Sequence, residues 1–278
     1  MEDVRSEVRL AGTPVADRPH ISAFFRTRGD EYRVLLPFVQ EGLAHREKAF
    51  HIVDPALRAD HARRLRASGI NVYDAEARGQ LEIRTWEETY LRGGRFDQRA
   101  MLALVEQTLG DARAQGFPRT RLVAHMEWAL EERPGVGDLL EYEARASAVL
   151  ARYEDPVVCV YDCSRFGGEL ATAVVRVHPM VLIAGTLWDN ALCVAPETFL
   201  GELAARRGTG TRRDPPRRFT ARCVHCHHAI LAGVERIGEE EAHALRDHLR
   251  ACSAALPTDR APNEHLGELL KHYELAAE

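Results

Sequence analysis

Several features that would assign this chain of 278 residues to a common protein class are missing from its sequence. No apolar run reaches the ~18 residues that a membrane-spanning helix needs, so no membrane contact is predicted. Residues 1–20 lack the apolar core of a signal peptide, and a cytoplasmic location is therefore predicted. Six cysteines in a chain of this size do not resemble a disulfide framework, and they favour free thiols or metal ligands.

Both common phosphate-binding loops are also missing. The segment RTRGDEY, which follows the first predicted strand, has one glycine, no following lysine, and no Ser or Thr at the magnesium position of a GxxxxGK[ST] loop. A GxGxxG loop for a dinucleotide is likewise absent. The backbone N–H groups of such loops enclose the phosphates, and other residues do not easily replace them. The sequence therefore predicts no nucleotide cofactor and no ATP or NAD chemistry.

Turning to what the sequence contains, charge is distributed unevenly along the chain. The net charge is −5, yet residues 205–222 contain seven arginines and one acid, which gives +6 there and −11 elsewhere. Such a segment can contact phosphates or an acidic partner, and the candidate contacts are Arg212, Arg213, Arg217 and Arg218. A solvated linker is the simpler interpretation, because RGTGTRRDPPRR has no apolar period.

Short apolar segments alternate with segments of helical periodicity over residues 18–203. The predicted strands are HISAFF, KAFHIVD, INVYDA, QLEIRT, RLVAHMEWA, PVVCVYD and MVLIAG, with helices between most of them. Such alternation implies βαβ units, and nearly continuous apolar strands imply a parallel sheet that is covered on both faces. The predicted fold is therefore α/β, with a doubly wound, mostly parallel sheet.

Polar residues follow several predicted strands, at the edge where ligands of open α/β sheets bind. The candidate ligand-binding residues there are Arg26, Asp30, Glu31, Glu127, Trp128, Tyr161 and Asp162. The alternative for Asp30 and Glu31 is that they complement a helix dipole. His20 and His125 fit hydrogen-bonded core histidines better than ligands, and Cys159, Cys163 and Cys193 are expected to be inert.

The order of the motifs in this region resembles a known family. The segments HISAFFRTRGDEY, GQLEIRTWEETYLRGGRFD, RLVAHMEWAL, LLEYEARAS and VHPMVLIAG, from about His20 to Leu200, look like the methanogen/methylotroph DcmR sensory (MEDS) domain. The family's recurring positions fall on His20, Phe24, Phe25, Gly79, Gln80, Tyr90, Phe96 and Asp97. The resemblance adds His20, Phe24 and Phe25 to the ligand-binding candidates.

The resemblance implies a RecA/KaiC-like α/β fold without the Walker phosphate loop. It also implies that the domain senses a small molecule, proposed to be a hydrocarbon derivative, and signals to an attached output module. Many relatives attach a helix-turn-helix or a kinase-type output, and this sequence contains neither pattern. The nature of the output is therefore open.

Near the C-terminus, the segment RCVHCHHAIL opens a metal-ligand pattern. Cys223, Cys226, His248 and Cys252 follow the spacing C-x2-C-x21-H-x3-C. His248 and Cys252 lie four residues apart on a predicted helix, so their side chains face the same side. Four soft or borderline ligands around a closed point suit a structural zinc ion, whereas catalytic zinc keeps an open position. The alternative is that Cys223 and Cys226 form a redox pair.

These patterns predict four segments. They are a flexible N-terminal arm over residues 1–17, the α/β sensory domain over 18–203, an Arg-rich linker over 204–221, and a small zinc-stapled module with a C-terminal amphipathic helix over 222–278. That last helix is predicted to present Leu266, Leu269, Leu270 and Tyr273 on one side.

Three function classes remain open. The first is a non-enzymatic cytoplasmic sensor that signals through the zinc module to a protein partner. The second is a transcription regulator that binds nucleic acid, although Glu239, Glu240 and Glu241 at the start of the finger helix would repel phosphates. The third is an enzyme of unrecognised type that uses Glu127, Asp162 or Asp30 as acid or base. The oligomeric state is not predicted.

Overall fold

The chain divides into two compact units, residues 1–205 and 206–278. The computed structural model describes residues 7–15, 19–209, 219–234, 237–255 and 269–277. Among these residues, no helix combines the length and the apolar character needed to cross a membrane. Arg212, Arg213, Arg217 and Arg218, the candidate partner contacts, lie outside the described residues.

Residues 7–15 form a short hairpin of strands β1 (Arg9–Leu10) and β2 (Thr13–Pro14). Val8 and Leu10 are buried, and they belong to the same hydrophobic cluster as Ile21 of the first sheet strand. The prediction of a flexible arm is therefore wrong for this part of residues 1–17. The two apolar side chains anchor the hairpin because burying them removes their surface from water.

The centre of the first unit is a seven-stranded sheet in the order β5-β4-β6-β7-β3-β8-β9. All neighbouring strands are parallel except β9, which runs antiparallel to β8. This arrangement confirms the predicted α/β class with a mostly parallel sheet. The strands are β3 (His20–Phe25), β4 (Lys48–Val53), β5 (Leu81–Thr85), β6 (Thr120–His125), β7 (Val157–Asp162), β8 (Met180–Ile183) and β9 (Thr186–Asp189).

Helices cover both faces of the sheet. One hydrophobic cluster contains side chains of α1 (Arg28–Ala44), α2 (Arg58–Ala67) and α3 (Val72–Ala77), together with the odd-numbered residues of β3. The other contains side chains of α4 (Gln98–Ala114), α5 (Leu139–Leu150) and α6 (Gly168–Val175), together with Phe24. Successive residues of β3 therefore point to opposite layers, as strand geometry requires. Short 3-10 turns occupy Pro55–Leu57, Arg92–Gly94, Glu127–Leu130 and Val136–Asp138.

The prediction that INVYDA forms a strand is wrong. Most of this segment forms helix α3. The side chain of Asn71 accepts a hydrogen bond from the backbone N–H of Asp74, which caps the start of the helix. Tyr73 is 84% exposed, so the apparent alternation of apolar residues there does not mark a buried face. Strand β9 was not predicted.

Helix α7 (Pro196–Thr209) closes the first unit and continues into the second. Residues 204–209 of the predicted linker are therefore helical, and the remainder of that segment is described only from Phe219 onward.

In the part that the structure describes, the second unit is a three-stranded antiparallel sheet packed with one helix. Strands β10 (Phe219–Cys223), β11 (Ala229–Val234) and β12 (Tyr273–Ala277) lie in the order β11-β10-β12, and α8 spans Glu239–Ala251. The predicted amphipathic helix at the C-terminus is wrong over residues 273–277, which form β12. Tyr273 is buried and donates its hydroxyl to the carbonyl of Leu245 at 2.5 Å. Leu269 and Leu270 pack in the same core, and Leu266 lies outside the described residues.

Candidate functional site

Four side chains of the second unit converge around one point, and we call them the Cys3His cluster. Cys223 is the last residue of β10, and Cys226 lies in the turn before β11. His248 lies in the last turn of α8, and Cys252 directly follows that helix. Their Sγ and imidazole nitrogen atoms all lie within 4.8 Å of one another. Cys226 Sγ is 3.4 Å from His248 Nε2. This arrangement can hold a metal ion, and its residues are those that the sequence spacing singled out.

Local hydrogen bonds shape the turn that carries the first two cysteines. The backbone N–H of Cys223 donates to the carbonyl of His228 at 2.9 Å, and that of His227 donates to the carbonyl of Cys223 at 2.9 Å. His227 has a φ of 60°, a left-handed conformation that closes the turn. Leu245 and Leu249 of α8 belong to the same hydrophobic cluster as Cys223 and Cys252, and this shared core supports the metal-ligand residues.

A second polar group lies at the carboxyl ends of β3 and β6, and we call it the edge cluster. It consists of Arg28, Glu31, His125 and Glu127. His125 Nε2 lies 2.7 Å from Glu31 Oε1, and the Arg28 guanidinium is 3.8 Å from Glu31 and 4.0 Å from Glu127. Burial opposes charge on His125, but the carboxylate of Glu31 outweighs it and raises the His125 pKa. Burial raises the pKa of Glu127.

Hydrogen bonds extend inward beside the edge cluster through two more histidines. The ring centroids of His125 and His61 are 6.0 Å apart, and His61 Nε2 is 2.8 Å from His51 Nδ1. The hydroxyl of Tyr32 lies 2.6 Å from His61 Nδ1. Burial is the main cause that lowers the pKa of His51, to about 3, and that of His61. Both rings are therefore neutral at physiological pH.

Three buried polar atoms of the edge cluster and of the adjoining Trp128 have no hydrogen-bond partner in the part of the chain that the structure describes. They are His125 Nδ1, Glu127 Oε2 and Trp128 Nε1, and His51 Nε2, at the inner end of the histidine chain, is a fourth. The Trp128 ring is fully buried and stacks on Tyr90, with a centroid distance of 4.5 Å. Unpaired buried polar atoms are costly, so a bound molecule that paired with the first three would remove that cost.

A cleft of about 400 Å³ opens at the same edge of the sheet. Its walls come from the loops after β4, β5 and β6, and they include Asp54, Trp86, Leu91, Glu131 and Arg133. The volume is within the range of small-molecule sites, and the walls combine apolar and charged groups.

A third group is completely buried on the α5 face of the sheet. We call His20, Glu143, Cys159 and His178 the His20 cluster, and one ligand atom of each lies within 4.8 Å of the others. Tyr161 donates its hydroxyl to Glu143 Oε1 at 2.9 Å. The exposed fraction of each of the four residues is at most 3%.

Comparison with models of protein families shows which family the chain belongs to. The family model described as MEDS, the methanogen/methylotroph DcmR sensory domain, matches residues 19–179, which is more than half of the chain. The chain belongs to the MEDS family. The matched MEDS domain holds both the edge cluster and the His20 cluster, while the Cys3His cluster lies after it. No curated protein matches the chain.

Within the MEDS domain, the ten predicted ligand-binding residues fall into different environments. Glu31 and Glu127 belong to the edge cluster, and Trp128 adjoins it. His20 and Tyr161 meet through Glu143, and Phe24 stacks on Tyr161 at 5.4 Å. Phe25 is buried in the opposite layer, and Arg26 is exposed. The carboxylate of Asp30 accepts a hydrogen bond from the Thr27 hydroxyl, and that of Asp162 accepts one from the Ser164 hydroxyl.

Several residues of these clusters were not predicted as functional. Glu143 and His178 received no role from the sequence, and Cys159 was expected to be inert. The sequence pattern also assigns no role to His51 and His61. Two signals were present in the sequence, namely a histidine inside the apolar strand KAFHIVD and a charged residue in the middle of the helix LLEYEARAS. Neither signal identifies its partners, because those lie far away along the chain.

Proposed function

We propose that this protein is a non-enzymatic cytoplasmic sensor whose MEDS domain binds a small organic molecule at the edge cluster. Membership of the MEDS family supports the sensory role. The observation that carries the ligand site is the set of unpartnered buried atoms, His125 Nδ1, Glu127 Oε2 and Trp128 Nε1. The sheet edge beyond the strand carboxyl ends is also where ligands of open α/β sheets bind.

The chemistry of these atoms favours a short hydrocarbon derivative with one or two oxygens. Trp128 Nε1–H is a donor, and His125 Nδ1 becomes a donor when the ring is protonated beside Glu31. Glu127 accepts when ionised and donates when its raised pKa keeps it protonated. A hydroxyl or carbonyl oxygen would satisfy such a set, while the indole ring of Trp128 would contact the carbon chain.

The test is a calorimetric titration of the full chain with short alcohols, aldehydes and carboxylates. We expect at least one to bind, and Glu127→Gln to weaken that binding about tenfold, the cost of one lost buried hydrogen bond. Glu132→Gln, at an exposed position nearby, is the matched control and should bind like the wild type. Equal affinity for both variants would place the ligand elsewhere, and no binding at all would oppose the sensory proposal.

We further propose that the Cys3His cluster holds a structural Zn²⁺. Three thiolates and one imidazole are a ligand set that zinc prefers, and a closed set of four leaves no position for catalysis. The small apolar core of this unit also supports the proposal, because modules of this size often need a metal to fold. Elemental analysis of Cys252→Ala should find one Zn²⁺ fewer per chain, whereas Cys163→Ala, at an exposed thiol, should retain the wild-type content.

For the output we propose docking to a protein rather than to nucleic acid. Helix α8 begins with Glu239, Glu240 and Glu241, which would repel the phosphates of a DNA groove. Fluorescence anisotropy with duplex DNA should therefore give no tight binding at physiological salt. Binding that weakens steeply as salt rises would favour the nucleic-acid alternative.

We also propose that the MEDS domain has a RecA/KaiC-like fold that has lost its nucleotide function. The mostly parallel sheet supports this, as does α1, which follows β3 directly through a short turn without a glycine-rich phosphate loop. A titration with ATP and Mg²⁺ should accordingly show no binding.

A further inference from the structure

The His20 cluster joins four parts of the MEDS domain at one buried point. His20 begins β3, Cys159 lies in the neighbouring strand β7, Glu143 belongs to α5, and His178 lies just before β8. Glu143 Oε2 is 3.3 Å from His20 Nε2, 3.4 Å from His178 Nε2 and 4.0 Å from Cys159 Sγ. Cys159 Sγ is 3.4 Å from His20 Nε2.

These separations are close to the edges of a metal-coordination tetrahedron. Metal–nitrogen and metal–oxygen bonds of about 2.1 Å give ligand–ligand edges of about 3.4 Å, and a metal–sulfur bond lengthens the edge to about 3.6 Å. The two nitrogen–oxygen separations and the nitrogen–sulfur separation agree with these values within about 0.2 Å. The sulfur–oxygen separation exceeds its edge by less than half an ångström.

The tautomers of both histidines support a metal more than a simple hydrogen-bond network. His178 Nδ1 lies 2.8 Å from the carbonyl of Val174, which can only accept, so Nδ1 carries the proton. Ser147 donates its hydroxyl to the carbonyl of Val177 at 2.6 Å and therefore accepts from His20 Nδ1 at 2.9 Å. In the neutral rings, both Nε2 atoms then turn a lone pair toward Glu143. Outer partners of this kind orient histidines that bind metals.

A divalent cation also suits the chemistry of the four side chains. The Nε2 lone pairs of His20 and His178 and the Oε2 atom of Glu143 turn toward one another, and an ion between them would satisfy all three. A divalent ion with one carboxylate, one thiolate and two neutral imidazoles forms a group of zero net charge, which suits a buried site.

The cluster lies directly beneath a surface cleft. His20 and Ser147 line this open cleft of about 570 Å³, whose other walls include Pro179, Asn190 and Cys193. On the inner side, His20 and Cys159 line a narrow cavity together with Tyr90 and Tyr142. The imidazole of His20 therefore separates the buried cluster from the cleft.

We propose that His20, Glu143, Cys159 and His178 form a second metal site, inside the MEDS domain, that binds Zn²⁺. Tyr161 holds Glu143 through Oε1, which leaves Oε2 for the ion. With four protein ligands the site is closed, so the ion has a structural or sensory role rather than a hydrolytic one. The site is independent of the edge cluster and of the Cys3His cluster.

The experiment counts metal in the full chain purified from zinc-supplemented cultures without chelator. We expect two Zn²⁺ per wild-type chain, one in Cys252→Ala, one in Cys159→Ala and two in the control Cys163→Ala. Circular dichroism would establish that each variant is folded. If Cys159→Ala does not fold, Co²⁺ loaded into the triple variant Cys223→Ala, Cys226→Ala, Cys252→Ala gives a second readout, because the C-terminal site then has no thiolate and a single-thiolate charge-transfer band must come from the His2CysGlu site.

The outcomes separate this site from the proposed C-terminal one. One Zn²⁺ in the wild type that is lost in Cys252→Ala and retained in Cys159→Ala would overturn the second site and leave the first. One Zn²⁺ that is retained in Cys252→Ala and lost in Cys159→Ala would support the second site and overturn the first. Absence of metal from Cys252→Ala together with no Co²⁺ band would also overturn the His20 site.

Discussion

At the scale of single residues, the histidines behind the edge cluster form a chain of neutral hydrogen bonds. We assign the Tyr32 hydroxyl as donor to His61 Nδ1, so that His61 Nε2–H donates to His51 Nδ1. Every proton between the three side chains then has an acceptor while both rings stay uncharged. An additional proton would place a charge in the core beside His125, whose own pKa is raised.

The consequence is a stability that depends on pH. The pKa of His51 is about 3 in the folded protein and about 6.5 in the unfolded chain, so the unfolded chain binds this proton first as the pH falls. The free energy of unfolding should fall by about 2 kcal/mol between pH 6.5 and pH 5 through His51 alone. Denaturant unfolding at several pH values should show a flatter profile in His51→Gln. The exposed variant His45→Gln should retain the wild-type profile, and a wild-type profile in His51→Gln would contradict the assignment.

At the scale of elements, Asp97 connects a family position to a local physical role. Its carboxylate accepts hydrogen bonds from the backbone N–H groups of Arg99 and Ala100, which caps α4. The bond from Ala100 is the main reason that the pKa of Asp97 is lowered, and the bond from Arg99 adds to it. Phe96, its neighbour, packs in the aromatic group with Tyr90, Trp128 and Tyr142. The cap therefore fixes where α4 begins relative to the buried rings.

Loss of this cap should destabilise the domain measurably. We expect Asp97→Ala to lower the free energy of unfolding by about 1 kcal/mol, the usual value of an N-cap. Asp111→Ala, on the exposed face of the same helix, should change it by less than about 0.5 kcal/mol. Urea denaturation compares the two variants directly. Equal effects would mean that the cap contributes no more than an ordinary surface carboxylate.

The elements also differ in how far the sequence could predict them. Continuous apolar strands such as β4 and β7 are predictable, because a segment buried on both faces needs no periodicity to be recognised. Helix α3 was mistaken for a strand because its cap, Asn71, decides the local structure and the apolar pattern does not. Strand β12 was mistaken for a helix because its pairing with β10 is a long-range interaction that local propensity does not contain.

The three clusters also differ in how far the sequence could predict them, according to whether their residues are close together along the chain. The Cys3His cluster was predictable because its ligands come in two local pairs, each with its own spacing. The edge cluster was predictable in part, since strand ends place Glu31 and Glu127 at one edge but do not identify His125 as their partner. The His20 cluster was not, because its four residues come from four separate elements and only the packing of α5 against β3 and β7 unites them.

At the scale of the whole molecule, the two units have separate hydrophobic cores. The core of the second unit is small and surrounds the Cys3His cluster, so its folding should depend on metal far more than its apolar area suggests. Differential scanning calorimetry of the full chain should give two transitions. Cys252→Ala should lower or abolish one of them and leave the other in place, whereas Cys163→Ala should shift neither. A single cooperative transition that moves as a whole in Cys252→Ala would show that the units do not unfold independently.

The pairing of β10 with β12 has a consequence for how the second unit is connected. Phe219 lies opposite Ala277 in this antiparallel ladder, so the first residue of β10 and the last residue of β12 are neighbours, about 5 Å apart. A segment with adjacent ends can be inserted into a surface loop of an unrelated protein without stretching either junction. Residues 219–277 therefore have the end-to-end geometry of an insertable module.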